Sequence, residues 1–271
     1  MFDLRAFDGG YCRQCLGFVD RRSWRWVRFH AVFWAFRHPT EGWVLIDSGY
    51  GGRFGEATSG WPYRVYRYVT PATQNGTASD ALRAGGIDPQ EIAHVIITHF
   101  HADHVGGLAE FPHAQVHYRA DALAELTSLS PWRQLRSAFL PGLIPPWLVE
   151  RGRPIAGLLF QRDNRSDLLT YDLFGDGSVL LVDLAGHAPG QIGVWWPEHR
   201  FCYAADAFWR ESQLESEQEL WGPARTLQWN PAAYRQTLER LRTWQRRGEI
   251  TLIACHSLSA EAAIGRSLAN V

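Results

Sequence analysis

The run Thr98-His99-Phe100-His101-Ala102-Asp103-His104-Val105-Gly106-Gly107 places three imidazoles and a carboxylate close together. In a chain of this His and Asp content, an HxHxDH pattern has a chance expectation of about one in a thousand. Residues two apart can point the same way, so His99 and His101 can share one cation. Asp103 and His104 come a turn later and face a second position a few ångströms away. Imidazole nitrogen and carboxylate oxygen are ligands for zinc, and also for iron or manganese, and the chemistry such ions perform on water is hydrolytic. Four ligands do not complete two coordination shells, so the rest of the chain must provide more.

Composition narrows what such a centre can serve. The 271 residues are 46% hydrophobic and 13% aromatic, enough for a large globular core. The 28 acidic and 27 basic residues nearly cancel, so no general field draws nucleic acid or an anionic membrane. Every basic residue is arginine, and the absence of lysine excludes Schiff-base, pyridoxal-phosphate and P-loop lysines. The opening Met1-Phe2-Asp3-Leu4-Arg5 lacks the basic and apolar regions of a secretory leader, and no run of about 18 apolar residues occurs. The expectation is a soluble, cytoplasmic protein with no membrane span, acting on a small molecule. Cys12, Cys15, Cys202 and Cys255 are too scattered for a disulfide framework. Cys12-Arg13-Gln14-Cys15 has metal or redox spacing but no second pair, and residues three apart in a strand point to opposite faces.

The elements that must position the motif are legible around it. Val27 to Phe36 and Trp43 to Ile46 are apolar runs rich in β-branched and aromatic residues, with His38-Pro39-Thr40-Glu41-Gly42 between them, which predicts a hairpin. Asp80 to Ala84 predicts a short helix, and Asp88-Pro89-Gln90-Glu91 a further capped turn. Ala93 to Thr98 is a largely apolar strand that ends at the motif. After a strand at Gln115 to Tyr118, the segment from Ala120 to about Gly157 becomes helical and proline-broken, and reads as an inserted lid, with a helical pair packed on the sheet edge as the alternative. Strands return at Leu168 to Phe174, Val179 to Leu184, Gln191 to Trp196 and Phe201 to Ala205. A helix opens with Asn230 as cap and Pro231 at its first position, and a last strand, Ile250 to Ala254, delivers Cys255 and His256. This order predicts two sheets sandwiched between helices.

With these motifs the sequence resembles the metallo-β-lactamase superfamily of metallohydrolases over most of its length apart from the lid. The resemblance implies an α/β chain of 271 residues forming one domain, an αβ/βα four-layer sandwich with a helical lid insertion at about 120–157. It further implies that His187, in Gly186-His187-Ala188-Pro189-Gly190, completes the first metal's set with His99 and His101. Asp206, closing Ala204-Ala205-Asp206, would bridge two metals. His256 would join Asp103 and His104 on the second. Asp47, in Leu45-Ile46-Asp47-Ser48-Gly49, would orient the metal loop without touching the ions.

Departures from relatives narrow the branch. Acyl-homoserine-lactone lactonases, similar in size and motif order, carry a tyrosine three residues after the bridging aspartate, where this chain has Trp209. Glyoxalase II thioesterases bind glutathione partly through lysine, which is absent. Flavodiiron proteins have glutamate where this chain has His101. The implied function is a hydrolase with two divalent ions, zinc first and iron or manganese as alternatives. A metal-bridging hydroxide would open a lactone or ester, as in quorum quenching, with Asp103 passing a proton to the leaving alkoxide. The alternative is a mononuclear iron protein of the sulfur dioxygenase kind, or a thioesterase. Trp132, Phe139, Leu143 and Trp147 of the lid, with Trp209, are expected to line a pocket for the substrate's apolar part. Nothing in the sequence specifies the oligomeric state.

Overall fold

The computed structural model describes residues 3–216 and 220–268 and builds them into two mixed β-sheets. The first comprises β1 (Leu4–Cys15), β2 (Trp26–His38), β3 (Gly42–Ile46), β4 (Ala72–Thr73), β5 (Ile92–Ile96), β6 (Gln115–Arg119) and β7 (Arg153–Ile155), in the order β4-β1-β2-β3-β5-β6-β7. The second comprises β8 (Gln161–Arg162), β9 (Leu169–Asp172), β10 (Leu180–Asp183), β11 (Ile192–Trp196), β12 (Phe201–Tyr203) and β13 (Thr251–Ile253), in the order β13-β12-β11-β10-β9-β8.

The two-residue period of a strand sorts side chains into layers. Val32, Trp34 and Phe36 of β2 and Val44 and Ile46 of β3 meet Leu181, Val194, Trp196 and Tyr203 in an apolar layer between the sheets. The alternate residues Phe33, Ala35, Leu45 and Val95 belong to a second cluster, with Leu82 and Leu108 from the helical side. Trp195 of β11 likewise packs edge-on against Trp244 of the helix Pro231–Arg246, ring centres 4.9 Å apart. Helix, sheet, sheet and helix therefore stack as the expected four layers. Strands covered on both faces read as unbroken apolar runs, which is why Ala93 to Thr98 carries no alternation.

The caps expected at Asp88 and Asn230 are present, and a further one stands where the sequence reading named none. Thr77 and Asp80 form a capping box on the helix Ala78–Ala84, which begins two residues before the expected start. The Asn230 side chain accepts from the Ala233 N–H at 3.1 Å. The longest departure is β1, a 12-residue strand that sequence patterning did not yield. Asp8-Gly9-Gly10 interrupts it with a register shift and Gly10 at φ 98, and that break hides the strand from a reading based on alternation. The expected lid is helical, with helices Ala120–Ser128, Pro131–Arg136 and Trp147–Arg151 between β6 and β7.

Strands β3 and β5 are parallel, as are β12 and β13, and the chain leaves all four at one edge of the sandwich. The Ile192 N–H donates to the Thr98 carbonyl at 2.9 Å, which ties the two sheets together there. The glycines that end the HxHxDH loop permit its descent onto β3's exit. A Cβ on Gly106 would lie 1.9 Å from the Tyr50 carbonyl oxygen. Gly106→Ala should therefore destabilise by about 3 kcal/mol in a urea titration, as forced contacts do. Gly60→Ala, whose methyl meets nothing within 4 Å, should stay within about 0.5 kcal/mol.

Three histidines outside the motif are buried and partnered. His94 Nδ1 lies 3.0 Å from His117 Nε2, and His38 Nε2 lies 2.9 Å from the Ser178 hydroxyl. Burial, and secondarily His94, pushes the His117 imidazole down to about 4. An unfolded chain takes up that proton near pH 6.5, so stability should rise with pH across roughly 4 to 6.5. The loss of urea resistance between pH 7 and pH 5 should be smaller in His117→Asn; an equal loss would contradict this.

Candidate metal centre

Each exit at the shared edge contributes one part of the site. His101 caps the short helix Ala102–Val105, which carries Asp103 and His104. The Ser48 N–H and hydroxyl both donate to the His104 carbonyl, at 2.8 and 2.9 Å, and lock the loop to the end of β3. His187 sits in the β10–β11 turn behind Gly186, where φ is 129 and a Cβ would lie 2.1 Å from the Tyr234 nitrogen. Asp206 follows β12 and His256 follows β13. The Cys255 N–H donates to the Ala205 carbonyl at 2.9 Å, which holds these two exits together.

All seven side chains expected as ligands converge. The ligand atoms of His99, His101 and His187 lie within 4.8 Å of one another, and so do those of His104, Asp206, Cys255 and His256. Asp206 stands between the sets, its Oδ2 3.3 Å from His187 Nε2 and 3.2 Å from His256 Nε2, with Oδ1 3.5 Å from His104 Nε2. Asp103 Oδ2 is 3.4 Å from His256 Nε2.

Outer contacts aim the rings inward. His104 Nδ1–H donates to Asp47 Oδ2 at 2.7 Å, His187 Nδ1–H to Gln228 Oε1 at 3.0 Å, and His256 Nδ1–H to the His30 carbonyl at 2.7 Å. His99 Nδ1 lies 3.1 Å from the Thr98 hydroxyl. These bonds place a proton on Nδ1 and turn Nε2 toward the centre. His99 Nε2, His104 Nε2 and Asp206 Oδ1 are buried without a hydrogen-bond partner. Unpaired buried polar atoms are costly, and here they are the atoms a cation requires, so the residues fit two divalent ions.

Charge balance is consistent with that fit. Burial lowers His99 well below the usual histidine range, and brings His101 down to about 3. Burial opposes ionisation of Asp103, but His104 and His256 outweigh it and hold the carboxyl at about 2. Burial would also lower His104, yet Asp47 keeps it well above its ordinary value, and Asp206 does the same for His256. Without metal, imidazolium protons supply the positive charge that two carboxylates demand.

Asp47 accepts from the Thr98 N–H at 2.9 Å and from the Thr98 hydroxyl at 2.8 Å. Sequence reasoning missed Thr98, Gln228 and the His30 carbonyl. Only Thr98, adjacent to the motif, could have been found from spacing. Cys255 was also unassigned; its thiol points at the Val32 carbonyl, 3.5 Å away.

A cavity of about 290 Å³ opens onto the ligand set. Trp209 lines it, together with Phe29, Val19, Tyr66 and Leu135. The four lid residues expected there do not. Phe139 and Leu143 are buried in the core, Phe139 edge-on to Phe100 beneath the metal loop. Trp132 is exposed and packs on Trp61, one helical turn short of Leu135 and Arg136, and Trp147 packs half-buried against the core. The lid reaches the cavity through Leu135, Arg136 and Ala138 instead. Cys12 and Cys15 also face it, and burial pushes the Cys12 thiol up to about 11, far from a reactive thiolate.

Residues 27–243 match the family model described as the metallo-beta-lactamase superfamily. A probable metallo-hydrolase of Mycobacterium tuberculosis is 30% identical over 190 residues, covering 65% of this chain and 56% of that protein. The N-acyl homoserine lactonase AttM of Azorhizobium caulinodans is 30% identical over 166 residues, 58% of this chain and 56% of the lactonase. The chain spans just over half the length of these curated relatives. Among solved structures, a mutant AiiA of B. thuringiensis with N-decanoyl-L-homoserine at its active site aligns with TM-score 0.71 at 17% identity, over 96% of this chain and 95% of that one. AidC, a dizinc quorum-quenching lactonase, aligns with TM-score 0.68 at 13% identity, over 95% and 88%. No helix among the described residues is long and apolar enough to cross a membrane.

Asp206→Ala should lose metal and stability together, read as metal content after gel filtration and as Tm. Asp47→Ala should weaken metal affinity about 10- to 100-fold, as loss of an orienting partner does, measured by competition with a chromophoric chelator; unaltered affinity would contradict the orienting role.

Proposed function

Because this chain belongs to the metallo-β-lactamase superfamily, we propose that it is a hydrolase of lactone or ester bonds working with two divalent ions, zinc first. The observation that carries this reading is the paired ligand set with the Asp206 carboxylate between its halves. In this reading His99, His101 and His187 hold one ion; Asp103, His104 and His256 hold the other. Two ions there would supply a water of lowered pKa and Lewis-acid polarisation of a carbonyl. The second set of inward-facing atoms favours two ions over the single iron of a sulfur dioxygenase.

The chain's own groups have definable tasks. Asp103 is ionised at neutral pH and lines the cavity, so it can accept a proton from water and return it to the leaving oxygen. Trp209 does not reproduce the lactonase tyrosine: its Nε1–H donates to Asp206 Oδ2 at 3.2 Å, which commits the indole to the bridging carboxylate rather than to a substrate carbonyl. The apolar walls exclude water and would take the hydrocarbon part of a substrate.

Metal quantification with a screen over lactones, aryl esters, thioesters and phosphodiesters tests this. About two zinc-like ions per chain, with N-acyl homoserine lactones or aryl esters cleaved and cleavage abolished by chelation, is the expected outcome; one iron and no hydrolysis would overturn it. Each buried methylene contributes about 0.8 kcal/mol, roughly four-fold, so kcat/KM should climb along an acyl series until the cavity is full. A flat series would remove the apolar pocket from the reading.

A further inference from the structure

The space over the ligand set has two arms of opposite character. The apolar arm carries Asp103 and Asp206 on its wall. The other, of about 270 Å³, lies beside His101 and His187 and is lined by Arg133, Arg136, Ser137, Thr226 and Gln228, with no carboxylate. His101, His187, Arg136 and Leu227 belong to both arms.

Arg133 and Arg136 stand three apart on the helix Pro131–Arg136, the spacing at which like charges repel. Several arginines elsewhere are paired with carboxylates, as Arg119 with Asp121, Arg165 with Asp163 and Arg242 with Glu239. Among the described residues, neither Arg133 nor Arg136 has a carboxylate partner or donates a side-chain hydrogen bond. Two guanidiniums without carboxylate partners on one wall of a concave space offer donors suited to a carboxylate. Their field meets no acid on that wall, so an anion entering there would gain attraction without displacing an existing pair.

We propose that this arm is a subsite for a carboxylate carried by the substrate, held by Arg133 and Arg136. A molecule lying across the ligand set places its apolar part along Phe29 and Trp209 and its carboxylate on the lid helix, with the scissile bond between. The substrate class deepens from a lactone or ester with an apolar part to an amphiphilic one with a remote carboxylate. As a statement about a substrate this rests on the hydrolase reading; as a binding site it does not.

Calorimetry on the zinc-loaded protein separates the two. The probes are the mono-N-hexylamides of succinic, glutaric and adipic acids, each against the N-hexylamide of the unbranched monoacid of equal carbon count. At least one acid should bind about ten-fold more tightly than its neutral partner, as charge-assisted bonds allow. The double variant Arg133→Gln/Arg136→Gln, with unchanged Tm and zinc content, should lose that difference, and Arg133→Lys/Arg136→Lys should keep part of it. No preference in the native protein would overturn the proposal. So would a preference that survives in the glutamine variant, since the metal ions would then be holding the carboxylate. If the preference follows the arginines while matched p-nitrophenyl hexanoate and mono-p-nitrophenyl adipate both go uncleaved, the hydrolase reading falls and the subsite stands.

Discussion

A carboxylate sealed from water must find every donor in protein, and the Asp47 side chain is that case. It accepts the Thr98 N–H, the Thr98 hydroxyl and the His104 Nδ1–H within 2.7–3.0 Å, with the Tyr203 hydroxyl at 3.4 Å. Losing one partner would leave a buried charge short of donors, a penalty larger than the worth of any one bond. The exit of β3, the loop after β5 and β12 of the opposite sheet are therefore held to one another at a single point. Asp47 itself sits at φ 62, a conformation that costs a non-glycine residue about 1–3 kcal/mol and persists only where surroundings over-determine it.

The same logic recurs around the ligand set. Gln228 holds His187 and the His30 carbonyl holds His256, so the inward nitrogens are aimed before any cation arrives. Ala205, at φ 47, turns the chain after β12 so that Asp206 enters between the two groups of histidines. Two of the strained backbone positions are thus Asp47 itself and Ala205, the residue before Asp206, and the four-layer core bears them. A preorganised set of this kind loses little conformational freedom on binding.

The cavity walls come from other parts of the chain. The lid gives the cavity Leu135, Arg136 and Ala138, and buries Phe139 and Leu143 as its anchor. Trp209 packs 5.7 Å from the His187 ring and 6.4 Å from that of His256, filling space over the ligands while binding Asp206. A shared ligand set dictates how a bond is broken, whereas the walls dictate which bond is presented.

The sequence by itself marked the side chains that converge at the site, the four-layer order and the cap at Asn230. Metal chemistry demands particular atoms, and HxHxDH supplies four of them through local spacing alone; the resemblance to the metallo-β-lactamase superfamily pointed to His187, Asp206 and His256. The long strand β1 was hidden by Gly9 and Gly10, because a bulge breaks the alternation on which such readings depend. The partners Gln228 and His30 lie 41 and 226 residues from the histidines they hold, and no local pattern connects them. The pocket walls were likewise decided by the tertiary structure. An apolar side chain in a proline-broken segment is equally suited to core or cavity, and Phe139 went to Phe100 and Trp132 to Trp61 because distant segments offered those surfaces. Hydrophobic burial is non-directional, so composition can require that such residues be covered without specifying by what.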